Sequence, residues 1–176
     1  MARKARAPVS RRGQAAGEPG RNDMETDIRL EPIDATNRKA VLGLQLDETQ
    51  SDYLDDNASS LKEARHDEDA RPRAVVAGER VVGFLMYDAS SYDEALLYRF
   101  MIDRREQGRG YGRAALDALI REVRSLGRAR DIVVSYMPEN EGARRLYLGA
   151  GFEEEGEDED GEVLARLSLA RRKRKV

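Results

Sequence analysis

Gln107-Gly108-Arg109-Gly110-Tyr111-Gly112 stands between an apolar run, Leu96-Leu97-Tyr98-Arg99-Phe100-Met101-Ile102, and an amphipathic segment that opens with Arg113-Ala114. The run reads as a strand and the segment as a helix, so the glycines make the turn between them. Three glycines in five positions let the backbone curl and approach a ligand through its N–H groups alone. The helix adds unpaired N–H donors and the positive end of its dipole. Such a cup suits a phosphate or pyrophosphate. Spacing removes two nucleotide-binding loops. A P-loop needs Lys then Ser/Thr after its last glycine, and here Arg113-Ala114 follows Gly112. A dinucleotide fingerprint needs G-x-G-x-x-G, whereas these glycines run G-x-G-x-G. It also needs an acidic ribose-binding residue after the next strand, and Ile132-Val133-Val134 leads into Ser135-Tyr136 instead. The plain alternative is a turn that needs glycine for its own geometry.

Composition narrows what surrounds the cup. The chain has 176 residues, no cysteine and 6% aromatics, which reads as one domain with tails and a sizeable core. Without cysteine there is no thiol nucleophile, disulfide framework or thiolate zinc site. The single histidine, His66, lies in a polar run from Glu63 to Arg71 and reads as a solvated loop residue. No apolar run reaches membrane-spanning length and no signal-peptide core opens the chain, so the expected compartment is the cytoplasm.

The net charge of −3 conceals an asymmetry. Residues 1–22 carry six Arg and Lys against Glu18, and Arg171-Arg172-Lys173-Arg174-Lys175 adds five more cations. Each end is therefore +5, and the remainder of the chain carries −13 of the −3 total. An acidic body attracts cations at low salt, and basic ends have the charge to touch nucleic acid or anionic lipid. Residues 1–23, rich in Gly, Pro, Ala and Arg, read as a disordered tail, with Met24 a sensible alternative start.

From Ile28 the pattern becomes regular. Ile28-Arg29-Leu30 alternates as a first strand, and a helix is expected from Asp34-Ala35-Thr36 with Val41, Leu42 and Leu44. Gln45 to Asp69 is very acidic, with a short helix at Ser59 to Ala64. Ala74 to Ala77 and Val81 to Tyr87 flank Gly78-Glu79-Arg80 as a hairpin. Leu116, Leu119, Ile120, Val123 and Leu126 mark one helix face. Asp131 to Tyr136 reads as a buried strand, Asn140 to Gly149 as a short helix, and Phe152 to Leu169 as two strands around Asp160-Gly161. The order is β-α-α-β-β-β-α-β-α-β-β, an α/β (α+β) domain with a mixed sheet.

That order, and the residues set on it, resemble the GNAT superfamily of acetyl-CoA-dependent N-acetyltransferases. Gln107, Gly110 and Gly112 fit its Q/R-x-x-G-x-G/A pattern. Asn140-x-x-Ala143-x-x-Leu146-Tyr147 and Gly151-Phe152 fit its second half, and the match covers about residues 27–169. Ser135 to Asn140, Phe100 to Asp103, Gly83 to Tyr87 and Gly161-Glu162 are similar to the bacterial spermine/spermidine branch.

The resemblance implies a three-layer domain over residues 24–170, with about six to seven strands, about four helices and a splay between strands four and five. It implies acetyl-CoA as donor and no metal. Gln107, Gly108, Arg109, Gly110, Tyr111, Gly112 and Arg113 would cradle the pyrophosphate, and Phe100, Met101 and Ile102 would pair with the pantetheine amides. Asn140 would bond the pantetheine arm, cap a helix, or both. Tyr147 would be the catalytic donor to the departing sulfur. Asp52, Asp55, Asp56, Tyr98 and Tyr136 are the candidate acceptor-binding residues. Tyr98 stands where the polyamine branch often has an acid, which leaves Glu94, Asp93, Glu139 and Tyr136 as unranked candidates for the base. The expected partner is a small amine such as spermine or spermidine. A protein N-terminus, lysine or aminoglycoside is the alternative, followed by a non-catalytic acetyl-CoA sensor or a nucleic-acid module working through its tails. A homodimer is compatible with all of these.

Overall fold

The computed structural model describes residues 27–46 and 56–170. Both basic ends and residues 47–55, with Asp52 and Asp55, lie outside the described residues. The strands are β1 (Ile28–Pro32), β2 (Ala70–Ala77), β3 (Arg80–Asp88), β4 (Glu94–Ile102), β5 (Asp131–Tyr136), β6 (Glu153–Glu157) and β7 (Val163–Ser168). The helices are α1 (Arg38–Leu42), α2 (Asn57–Glu63), α3 (Tyr111–Leu126) and α4 (Glu141–Gly149). They follow the sequence order expected above. The strands form one sheet in the order β1-β2-β3-β4-β5-β7-β6, with β4 and β5 parallel and every other pair antiparallel.

Two cores lie on opposite faces of this sheet. On one face Ala115, Leu116, Leu119 and Val123 of α3 bury against Leu85, Leu97, Ile132 and Val134, joined by Tyr147 of α4. On the other, Val41 of α1 and Leu61 of α2 cover Ala74, Val76, Phe84, Met86 and Met101. The i, i+3, i+4, i+7 stripe read in α3 is its buried face. Among the described residues no helix is long and apolar enough to cross a membrane.

α1 is shorter than the sequence suggests. The side chain of Asp34 accepts from the backbone N–H groups of Thr36 and Asn37, and Asn37 donates to the Pro32 carbonyl. These side-chain bonds hold residues 34–37 in a turn, so the helix begins only at Arg38. Conversely, β2 begins at Ala70 and takes in Pro72. β1 pairs with β2 only up to Arg73, so Pro72 lies beyond the β1 partner and its missing N–H costs no ladder bond there.

The feature that makes the site is in β4. The β3–β4 register steps from Met86↔Arg99 to Tyr87↔Leu97, leaving Tyr98 as the extra residue of a bulge. Tyr98 packs toward the α1/α2 core, and Arg99 on the same side reaches Glu63 of α2 at 3.4 Å. A bulge bends its strand and increases its twist. β4 pairs with β5 from Glu94↔Asp131 to Leu97↔Val134 and no further. From Tyr98 to Ile102 the two strands part.

Candidate active site

The parting strands open a cleft of about 280 Å³ lined by Phe100, Met101 and Ile102 of β4, Gln107, Gly108, Tyr111 and Gly112 of the glycine turn and its helix, Leu46, and Asn140, Leu146 and Tyr147 at and within α4. Gly108 and Gly110 have φ of +75° and +82°, a backbone that L side chains rarely adopt. Gly110 is the N-cap of α3, and the first intrahelical bond runs from Ala114 N–H to the Gly110 carbonyl. The N–H groups of Tyr111, Gly112 and Arg113 precede it and have no partner within the helix. Gly112 has another reason to be glycine. A Cβ there would stand 3.7 Å from Leu146 and 3.8 Å from Ile102, ordinary contacts, so the protein itself leaves room for a side chain. That room is the cleft.

Gln107 Nε2 donates to the Ile102 carbonyl at 3.0 Å, pinning the turn to the end of β4. Arg109 is exposed and stands 3.2 Å from Glu106, which also pairs with Arg80 at 2.5 Å. The Arg113 guanidinium is turned along α3 to Asp117 at 3.2 Å and to the Gly149 carbonyl. It therefore ties α3 to the end of α4, a role that the sequence alone did not indicate.

α4 carries the second half of the site, and its two ends explain the motif residues. Asn140 caps it, its Oδ1 accepting from Ala143 N–H at 3.0 Å. Its other amide group forms no hydrogen bond among the described residues, and Asn140 lines the cleft. At the far end Gly151 N–H donates to Leu148 and Phe152 N–H to the Tyr147 carbonyl, with Gly151 at φ +95°. This is a Schellman ending, whose usual companion is an apolar contact between the residue after the glycine and the last turn. Here that contact joins Phe152 to Tyr147, with ring centroids 5.5 Å apart. Gly151-Phe152 thus supports Tyr147 from below.

Tyr147 is 7% exposed and stacks on Tyr136 of β5 at 5.6 Å and 26° between ring planes. Its hydroxyl forms no hydrogen bond among the described residues. Burial, with the neighbouring Tyr136, pushes its pKa well above the usual tyrosine value, so it stays protonated. The Tyr136 hydroxyl is committed elsewhere, donating to Glu154 Oε1 at 2.8 Å. Burial and that carboxylate push Tyr136 up to about 12.

The described acceptor candidates, Asp56, Tyr98 and Tyr136, fall outside the cleft lining. Asp56 is the N-cap of α2, its carboxylate accepting from Ser59 N–H at 2.7 Å, and that bond holds its pKa below the usual carboxylate range. Tyr98 lies on the α1/α2 side with a buried hydroxyl that has no hydrogen-bond partner among the described residues. Burial, then Asp67, Glu63 and Asp88, push Tyr98 up to about 12. Of the base candidates, Glu94 accepts from Arg166 at 3.0 Å at the paired end of β4, away from the splay. Asp93 and Glu139 are exposed loop residues.

Asp103 was missed as a functional position. It is buried at 1% exposure and accepts from Arg105 Nε at 2.8 Å, from Arg105 N–H, and from Gln45 N–H at 3.0 Å. Arg105, opposing burial, holds its pKa down to about 2. It fastens the segment that leads into residues 47–55 to the start of the glycine turn. Its sequence signals are an acid directly after an apolar strand and its place at the end of the Phe100 to Asp103 stretch.

Comparison with known proteins agrees with the geometry. The Acetyltransferase (GNAT) family matches residues 38–152. The chain belongs to that family and is an N-acetyltransferase. It is 34% identical over 143 residues to the spermine/spermidine N(1)-acetyltransferase of Bacillus subtilis, across 77% of this chain and 94% of that protein. The fold is also that of the Vibrio cholerae spermidine N-acetyltransferase solved with CoA and spermine, at TM-score 0.63 and 18% identity over 79% of this chain and 92% of that one. An aminoglycoside acetyltransferase solved with coenzyme A shares it too, at TM-score 0.68 and 14% identity over 81% and 95% of the chains.

Proposed function

We propose that this protein transfers the acetyl group of acetyl-CoA directly to a primary amine of a polyamine such as spermine or spermidine. The observation that carries the reading is the splay, which sets the free edge of β4, the N–H cup and the Tyr147 hydroxyl along one cleft. In that cleft the cup's N–H groups hold the pyrophosphate. The β4 edge beyond Leu97 pairs with the pantetheine amides as an added strand would. The Asn140 amide that capping leaves unused bonds the same arm.

The amine nitrogen attacks the thioester carbon, the C–N bond forms and the C–S bond breaks. A primary amine of pKa about 10.4 is neutral in roughly one molecule in a few thousand at pH 7, a cost of roughly 4–5 kcal/mol. Its proton leaves through water, and the buried Tyr98 hydroxyl, without a partner among the described residues, is the β4 group available to bind that water. The thiolate, conjugate base of a thiol of pKa about 8.5, is met by the Tyr147 hydroxyl as a hydrogen-bond donor. Because burial keeps Tyr147 protonated, it can play this part throughout the neutral range.

The polyamine assignment rests on the similarity to the Bacillus subtilis enzyme and on Glu63, Asp67 and Asp88 around Tyr98. Carboxylates hold distal ammonium groups by charge-assisted hydrogen bonds. The test is CoA-thiol release from acetyl-CoA with spermine, spermidine, putrescine, lysine, an aminoglycoside and N-terminal peptides. Spermine or spermidine is expected to turn over fastest, and a polyamine rate no higher than background overturns the acceptor. Tyr147→Phe, with the best acceptor, is expected to lower kcat about 10²- to 10³-fold. Unchanged turnover removes Tyr147 from the reaction.

A further inference from the structure

Tyr147 depends on ring packing for its aim, because its hydroxyl has no bond among the described residues to fix it and it sits in the last turn of a nine-residue helix. One wall is Phe152, held by the Schellman turn. The other is the Tyr136 ring, stacked 5.6 Å away. Tyr136 is itself held at its far end, where its hydroxyl meets Glu154 of β6 at 2.8 Å. The same Glu154 oxygen accepts from Arg144 Nε at 2.8 Å, and the second oxygen accepts from Arg144 Nη2 at 3.3 Å. Arg144 is on α4, three residues before Tyr147. The chain of contacts therefore closes on itself: α4, Arg144, Glu154, Tyr136, Tyr147 and α4 again.

We infer that Glu154 is a positioning residue for the acetyl transfer, holding Tyr136 as the wall that aims the Tyr147 hydroxyl at the sulfur. The inference rests on the donor role proposed above for Tyr147. Glu154 is on β6, separated from β5 by β7, and does not line the cleft. The surrounding acids of β6 have different partners: Glu155 accepts from Arg166 at 2.8 Å, which belongs to the Glu94 and Asp131 cluster across the sheet. Arg144 is 46% exposed and Glu154 30%, so the ion pair adds little stability by itself. Its consequence is geometric. A displacement of about 1 Å at a reacting group costs up to about a hundredfold in rate.

The test compares Glu154→Ala, Glu154→Gln, Tyr136→Phe and Tyr147→Phe with the best acceptor of the panel, reading kcat, the KM for acetyl-CoA, the pH profile and the melting temperature. Glu154→Ala is expected to lower kcat about 10- to 100-fold with the acetyl-CoA KM unchanged. Tyr136→Phe keeps the stack and loses the tether, and should show the same pattern more weakly. Glu154→Gln, still able to accept from Tyr136, should recover most of the rate. Loosening the stack admits water and lessens the burial that raises Tyr147, so the alkaline limb of kcat moves to lower pH in Glu154→Ala. Added to Tyr147→Phe, Glu154→Ala should change kcat less than about twofold, because the two act as one unit.

A slow Tyr147→Phe beside an unaffected Glu154→Ala overturns the inference and leaves the donor role standing. An equal loss from Glu154→Ala with and without Tyr147 overturns it too, as does a loss that tracks the melting temperature with no shift of the alkaline limb. Unchanged turnover in Tyr147→Phe overturns the donor role and the inference together.

Discussion

The two faces of the sheet around β4 are assembled differently. On the α3/α4 face the cleft is built, apart from Leu46, from three short stretches: the strand end Phe100 to Ile102, the glycine turn, and α4 with its cap. Each stretch does its work through backbone groups or local caps, so its sequence is nearly its structure. On the α1/α2 face the residues gathered around Tyr98 come from places far apart in the chain: Glu63 at the end of α2, Asp67 after it, and Asp88 at the end of β3. Only the bulge at Tyr98 and the packing of α2 on the sheet bring them together. The proposed donor side is thus set by motifs, and the proposed acceptor side by tertiary placement of ordinary surface acids.

Asp103 joins the two sides, so its removal sets the largest expected effect on the whole. Its pKa is depressed to about 2 from an unfolded value near 3.9, so the stability it confers is fully present above about pH 4. That stability is lost as pH falls from about 4 toward 2. Asp103→Asn should cost about 2 kcal/mol at pH 7 by denaturant unfolding, with the difference from wild type closing over that acid range. A difference that stays constant down to pH 2 separates Asp103 from the linkage described here.

Gly112→Val probes the donor side alone. The protein leaves space for a Cβ at that position, so the melting temperature should hardly move. The branched side chain enters the cleft, and the KM for acetyl-CoA should rise about tenfold or more, a loss of about 1.4 kcal/mol in binding. A large drop in stability with unchanged KM would make Gly112 a packing glycine.

The smallest effects belong to the acceptor side. Glu63→Gln with Asp67→Asn should raise the KM for spermidine about three- to tenfold, with that for acetyl-CoA unchanged. Salt should erase most of the difference, since both carboxylates are exposed. An equal rise for both substrates would merge the two faces into one site.

The glycine turn, the α3 stripe, the hairpins and the Asn140 and Tyr147 positions were legible because each depends on neighbours within a few residues. Two refinements were also local but hidden. The Asp34 and Asn37 side chains shorten α1, and the Arg113 guanidinium bonds to Asp117 and the Gly149 carbonyl. In both cases a side chain had several partners within reach, and its choice depends on competing hydrogen bonds that spacing does not rank. Glu94 illustrates the long-range limit. As a candidate base it has the right chemistry, but strand register sets it at the paired end of β4 beside Arg166.

The sequence by itself determined the order of elements, the glycine turn and the helix that carries Tyr147, because periodicity, caps and glycine geometry are properties of contiguous chain. Tertiary structure alone decided where β4 leaves β5, which acids meet at Tyr98, and that Glu154 and Arg144 close a ring around Tyr147. Those depend on register between strands and on packing between layers, where residues distant in sequence settle one another's positions.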